Sequence, residues 1–144
     1  MKNELSIGIV GAGGFAAFAG TAFLQVPGIK IVAITDVQHE ASQKLAQVFH
    51  AKVYPEYESF LKEPHIDLVY IATPPFLHFE QSRLALLAGK HVICEKPAAL
   101  QTKGAEEFVS LAQSRQLLYT VNLMQRYNSL FNIVKRIVDE KILG

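Results

Sequence analysis

The stretch Leu5-Ser6-Ile7-Gly8-Ile9-Val10-Gly11-Ala12-Gly13-Gly14-Phe15-Ala16 decides the fold. Leu5 to Val10 is an apolar, β-branched run that stops at glycine, the pattern of a strand buried on both faces. The six residues that follow match G-x-G-x-x-G/A, and each position has a physical job. Gly11 permits a tight strand-to-helix turn. Gly13 has no side chain, so a pyrophosphate can approach the backbone. Ala16 keeps the helix close to the sheet. Gly14 and Phe15 open that helix, whose free N–H groups and positive dipole end suit phosphate.

The next segments give the motif its context. Pro27-Gly28 closes the helix, and Ile29 to Ile34 is a second buried-strand run ending at Thr35-Asp36. An acidic residue about 20 positions after the glycines, at the end of the next strand, completes a dinucleotide-binding βαβ unit. Asp36 is placed to accept hydrogen bonds from both hydroxyls of an adenosine ribose. Its charge would repel a 2′-phosphate, and Val37-Gln38 rather than Arg or Lys follow it, so NAD is favoured over NADP. Two other readings compete. One is a glycine-rich turn with an N-capping or surface aspartate. The other is a methyltransferase, whose glycine turn usually follows an acidic residue; here Gly8-Ile9-Val10 precede it.

Beyond Asp36, strand and helix patterns alternate. Ala41, Leu45, Val48 and Phe49 fall at helical spacing; Val53-Tyr54 is a brief strand and Glu56 to Lys62 a short helix. Asp67 to Ala72 predicts a third strong strand, Leu77 to Ala88 a helix capped by Gly89, and His91 to Cys94 another strand. Thr102 to Ser114 predicts a helix with Phe108, Leu111 and Ala112 on one face, and Leu117 to Val121 a last strand. Leu130, Ile133, Val134, Ile137 and Val138 then mark a strongly amphipathic helix. The pattern predicts an α/β fold: a doubly wound parallel sheet of Rossmann type, with helices on both faces.

Two further motifs stand where strands end, and ligands of open α/β sheets bind beyond the carboxyl ends of strands. Thr73-Pro74-Pro75 makes a rigid exit from the third strong strand, with a hydroxyl on Thr73 available to a cofactor. The bland alternative is a proline-rich exit with a surface or capping His78 on the helix after it. Glu95-Lys96-Pro97 follows the strand His91 to Cys94. A lysine there could bond a substrate hydroxyl and take its proton as hydride leaves the carbon, if burial and a positive nicotinamide ring lowered its pKa. Glu95 could orient that ammonium or bind a ribose hydroxyl. The bland reading is an exposed lysine at a turn.

Bulk properties narrow the function classes. The chain has 144 residues, 50% of them hydrophobic, enough for one well-cored domain. A net charge of +1 without a basic block gives no reason to expect a nucleic-acid partner. The lone Cys94 excludes an internal disulfide framework and fits a reducing compartment. No apolar run reaches membrane-spanning length and no signal-peptide pattern precedes the first strand, so a cytoplasmic location is expected. No metal site is expected.

The motif order resembles the Gfo/Idh/MocA oxidoreductases, the relatives of glucose–fructose oxidoreductase and inositol dehydrogenase. The resemblance runs through Gly-Ala-Gly-Gly-Phe-Ala, Ile-Thr-Asp, Ile-Ala-Thr-Pro-Pro-x-x-x-His and Ala-Gly-Lys-His-Val-Ile-Cys-Glu-Lys-Pro, and Gly89 to Pro97 is its most specific part. It implies hydride transfer between NAD or NADP and a sugar, polyol or related secondary alcohol. It also implies that Lys96 is the catalytic lysine, that Glu95 contacts the nicotinamide ribose side, and that Arg126 lies near the cofactor. Thr73, Pro74 and His78 would line the crevice. Val121 to Tyr127 looks like the family's crossing into its second domain, so residues 1–121 are expected to form the dinucleotide-binding domain and 122–144 a crossover segment. Family members are more than twice this length, and their second domain completes the site. An isolated chain of this length is therefore expected to bind cofactor but turn over little, with bared apolar surface on its last helix that invites homo-oligomers. The alternative on the same fold is a non-catalytic nucleotide sensor or regulator.

Overall fold

The computed structural model describes residues 4–142. Leu5–Val10 forms β1, Ile29–Thr35 β2, Lys52–Tyr54 β3, Leu68–Ile71 β4, His91–Cys94 β5 and Tyr119–Val121 β6. All pair in parallel, in the order β3-β2-β1-β4-β5-β6. The order reverses at β1, so the crevice beyond the ends of β1 and β4 is the topological switch point of a Rossmann-type sheet.

Alternation along the strands feeds two cores. On one face Ile7, Ile9 and Tyr70 meet Ala16 and Ala19 of α1 (Gly14–Phe23) and Leu45, Ala46 and Phe49 of α2 (His39–Phe49). On the other, Val69, Ile71, Val92 and Cys94 meet α3 (Tyr57–Leu61), α4 (Pro75–Leu87) and α5 (Thr102–Ser114) through Phe60, Leu86 and Phe108. Ile31 and Ile34 are three apart yet share the first face, because the β1–β2 register shifts between Ile7 and Gly8. A bulge of this kind changes which face later residues point to. Gly8 is a packing position: a Cβ there would stand 2.5 Å from Cζ of Phe60 and 2.9 Å from Ile66.

Most predicted elements are present, with shifted boundaries. The α4 helix starts at Pro75, not Leu77, since proline at the first helical position needs no amide partner and already has a helical φ. It ends as expected at Gly89, whose φ is +76°. The last strand starts at Tyr119 rather than Leu117. The Leu117 amide instead returns to the Ala112 carbonyl, and the Leu118 amide donates to Nδ1 of His91, so neither joins the ladder there. Val48, expected on the inner face of α2, is 66% exposed.

Lys90, inside the most family-like stretch, lies at the opposite end of the sheet from Glu95. It is buried, and its Nζ donates to the Glu63 and Ile66 carbonyls, both at 2.8 Å. After β6 come a 3-10 turn, Met124–Tyr127, and α6, Ser129–Asp139. The Asn128 side chain caps α6 by accepting from the Leu130 amide at 2.9 Å. Leu130, Ile133, Val134 and Val138 on α6 are all exposed. Among the described residues no helix is long and apolar enough to cross a membrane, and no cluster of metal-ligating side chains forms.

Candidate functional site

A crevice of about 580 Å³ opens beyond the carboxyl ends of β2, β1 and β4. Gly11, Gly13, Asp36, Thr73 and Pro74 all line it. The glycines there differ in what they satisfy. Gly11 has φ +93°, its amide bonds the Thr35 carbonyl at 2.9 Å, and a Cβ on it would stand 2.8 Å from the Ala72 carbonyl oxygen. The fold itself requires glycine at this position. Gly13 and Gly14 differ, because a Cβ on either would meet nothing within 4 Å. The protein's own packing does not ask for their missing side chains, and at Gly13 the space left is part of the crevice. Helix α1 begins there with Gly13 as its cap, without a side-chain cap bond and without an acidic residue in its first turn. Its leading N–H groups are therefore left for an anion, and a pyrophosphate fits the cradle.

Ala16 is fully buried against the sheet, as its place in the motif predicts. Phe15 does not line the crevice; it is 41% exposed and lies beside Phe18, with ring centroids 5.9 Å apart. Its side chain follows the outward face of α1 rather than the phosphate side.

Asp36 is half-buried and already engaged. Its Oδ2 accepts from the Ala12 amide at 2.6 Å and its Oδ1 from the Gln38 amide at 2.7 Å. A carboxylate has about four acceptor positions, so each oxygen keeps capacity for a ribose hydroxyl. The aspartate thus does two jobs: it ties down the glycine turn and offers acceptors to the crevice.

The far wall comes from residues after β3 that the sequence did not single out. Pro55, Glu56, Tyr57 and Glu58 line it. The Tyr57 hydroxyl donates to the Gln81 carbonyl at 2.6 Å, and burial pushes its pKa above the usual phenol range. Gln81 also takes up the hydroxyl of Thr73, which donates to Oε1 at 2.5 Å. The Thr73 proton, expected to serve a cofactor, is spent inside the wall.

His78 departs furthest from expectation. It neither lines the crevice nor sits on the surface; it is 1% exposed. Its Nδ1 faces the Pro97 carbonyl and its Nε2 the Thr73 carbonyl, each at 2.7 Å. Because a carbonyl only accepts, a neutral ring with one N–H can donate to one of them, and the imidazolium to both.

The end of β5 carries the third motif. Glu95 is buried, and its Oε1 accepts from the Tyr70 hydroxyl at 2.7 Å and from the Asn122 amide at 2.6 Å. Burial, then the Glu95 carboxylate, raise the Tyr70 phenol above its usual range. Glu95 is therefore anchored to β4 and to the residue after β6 rather than turned to the Lys96 ammonium. Lys96 is exposed, and the Lys96-Pro97 peptide is cis. The burial expected at this lysine is not provided by the described residues. Arg126 is exposed on the 3-10 turn and is not among the crevice residues. The structure thus gathers Gly11, Gly13, Asp36, Thr73 and Pro74 around one crevice, places Glu95 and Lys96 at the neighbouring strand end, and leaves Arg126 outside it.

Known proteins share this fold. The inositol 2-dehydrogenase/D-chiro-inositol 3-dehydrogenase of Lacticaseibacillus casei is 32% identical over 145 residues, covering 97% of this chain and 42% of that protein. The crystal structure of myo-inositol dehydrogenase from Lactobacillus casei, in complex with NAD(H) and myo-inositol, superimposes with a TM-score of 0.84 at 30% identity, over 98% of this chain and 43% of that one. A 3-ketoreductase from Actinomadura kijaniata, in complex with NADP and TDP-benzene, gives a TM-score of 0.89 at 29% identity, over 96% of this chain and 43% of that one. The chain spans about two fifths of the length of the curated relatives it matches. Residues 5–123 match the family model described as an oxidoreductase family with an NAD-binding Rossmann fold, and the chain belongs to this Gfo/Idh/MocA family.

Proposed function

We propose that this chain is the cofactor half of an NAD-preferring dehydrogenase acting on a sugar, polyol or related secondary alcohol. The observation that carries the reading is the crevice itself, where an unfilled glycine cradle at Gly13, after β1, and a tethered carboxylate at Asp36, after β2, stand together beside the switch point. Relatives that bind NAD(H) and NADP support the cofactor class. The preference within that class rests on Asp36, whose negative charge accepts ribose hydroxyls and opposes a 2′-phosphate.

A bound nicotinamide nucleotide supplies the hydride acceptor or donor. Gly13 and the α1 N-terminus hold the phosphates, and Asp36 orients the adenosine ribose. Lys96, at the end of β5, exchanges a proton with the substrate hydroxyl at its Nζ. Residues 1–121 are assigned to the nucleotide-binding unit and residues 122–144 to a crossover segment. Substrate recognition belongs to the part of the relatives that lies beyond the matched region, so the chain by itself binds cofactor and turns over little.

Calorimetric titration of the chain with NAD and NADP tests the reading. NAD binding in the micromolar to millimolar range is expected, with NADP weaker by about tenfold or more. Binding of neither at millimolar concentration would overturn the cofactor assignment, and tighter NADP binding would overturn the role of Asp36. In a form of the protein active as a dehydrogenase, Lys96→Ala abolishes turnover while NAD affinity stays within about threefold. Unchanged turnover removes Lys96 from the mechanism.

A further inference from the structure

The groups at the ends of β4 and β5 come from segments far apart in the chain, and one buried side chain joins them. His78, in the first turn of α4, faces the Thr73 carbonyl with one ring nitrogen and the Pro97 carbonyl with the other, at 2.7 Å in each case. It is 1% exposed and lies outside the crevice lining, so a nucleotide in that crevice would not touch it. We propose that His78 is a positioning residue that holds the β4 exit (Thr73-Pro74) and the β5 exit (Lys96-Pro97) at a fixed separation, and so sets affinity for the nicotinamide half of the dinucleotide alone.

The restriction to one half follows from the sheet order. Asp36 and the Pro55–Glu58 wall stand at the β2 and β3 ends, on one side of the glycine turn. With the adenosine ribose on Asp36 and the pyrophosphate at Gly13, the remaining half of the ligand extends over the β4 and β5 ends. Only there does the His78 strap act. The adenosine side has its own fasteners, namely the Asp36 bonds to the Ala12 and Gln38 amides. On the β4 side Thr73 is held twice, by His78 through its carbonyl and by Gln81 through its hydroxyl. The Pro97 carbonyl is held by His78. Loss of the ring therefore frees the β5 exit more than the β4 exit.

This inference rests on the proposed dinucleotide site, and the test separates the two. NAD and ADP, which lacks the nicotinamide and its ribose, are titrated calorimetrically against the unmodified chain, His78→Gln and His78→Leu. In the unmodified chain NAD is expected to bind more tightly than ADP. In His78→Leu, NAD is expected to weaken about tenfold, the scale of one or two lost hydrogen bonds, while ADP stays within about twofold. His78→Gln retains one donor group and should fall between. If the unmodified chain binds neither ligand, the site reading fails and the strap with it. If it binds both equally, or if the Leu variant loses both affinities together, the site stands and the strap is overturned. Should the variants not fold, ring N–H resonances of His78 in the unmodified chain decide. They shift on adding NAD and not on adding ADP if the strap is right, and respond alike to both if it is wrong.

Discussion

The Asp36 carboxylate accepts a hydrogen bond from the Ala12 amide at 2.6 Å, across 24 residues of sequence, and so binds the end of β2 to the glycine turn. Electrostatics alone predict that Asp36→Ala should trade NAD affinity for NADP affinity. The tether predicts a different outcome. Removing it leaves the Ala12 and Gln38 amides without their acceptor and loosens the turn that holds the phosphates of either nucleotide. Asp36→Ala is expected to lower NAD affinity by about tenfold or more with little gain for NADP. Calorimetry with both nucleotides checks this, and a full switch to NADP would show that the tether does not matter.

Gly11 and Gly13 sit two residues apart in one motif yet should fail in opposite ways. Gly11→Ala forces a left-handed φ on a residue with a Cβ and drives that Cβ to 2.8 Å from the Ala72 carbonyl oxygen. A loss of about 1–3 kcal/mol in unfolding free energy is expected by urea denaturation. Gly13→Val adds bulk where nothing lies within 4 Å of the Cβ, so stability should change by less than about 1 kcal/mol. That side chain fills the cradle instead, and nucleotide binding should be lost. A Gly13→Val chain that still bound NAD normally would move the phosphates away from this turn.

The contrast shows what was legible from residue types. Strands that end at Gly11, Asp36, Thr73 and Glu95 could be read because each is a short β-branched run closed by a residue that breaks or polarises it. The parallel order then followed from the alternation of strands and helices. The Tyr57–Gln81 bond and the two carbonyl partners of His78 could not be read, because they join residues that only the folded sheet brings together. The same holds for Glu95, whose partners Tyr70 and Asn122 come from the two strand ends flanking β5. A histidine at the start of a helix looks like a capping residue until the Thr73 and Pro97 carbonyls are found at its two ring nitrogens. Lys90 likewise looks like a surface charge until the Glu63 and Ile66 carbonyls are found around its Nζ.

Glu63 predicts the acid limb of the stability curve. The Tyr54 hydroxyl, then the His65 ring and amide, hold its carboxyl at about 2 against an ordinary value of 4.5. A carboxyl with a depressed folded-state pKa stabilises the fold fully above its unfolded value, and that contribution is lost as pH falls through the folded one. Stability should therefore decline between about pH 4.5 and pH 2. Glu63→Gln should be less stable at neutral pH and show a shallower decline across that window. Urea midpoints measured at several pH values check both, and parallel curves for the two proteins would remove Glu63 from the acid response.

Cys94 closes β5 one residue before Glu95, yet its side chain belongs to the core on the other side of the sheet from Tyr70. It is fully buried, and burial pushes its thiol up to about 11, only partly opposed by the Ser82 and Tyr119 hydroxyls. The nucleophile in thiol labelling is the thiolate, so both access and ionisation protect this cysteine. Labelling with a soluble disulfide reagent at pH 8 should be far slower for the folded chain than for the chain in denaturant. As the reaction proceeds through opening, its rate should follow the fraction unfolded across a urea titration. Cys94→Ala removes the signal and identifies it. Fast labelling of the native chain would mean that the β5 end, and with it the Glu95–Lys96 segment, opens readily in solution.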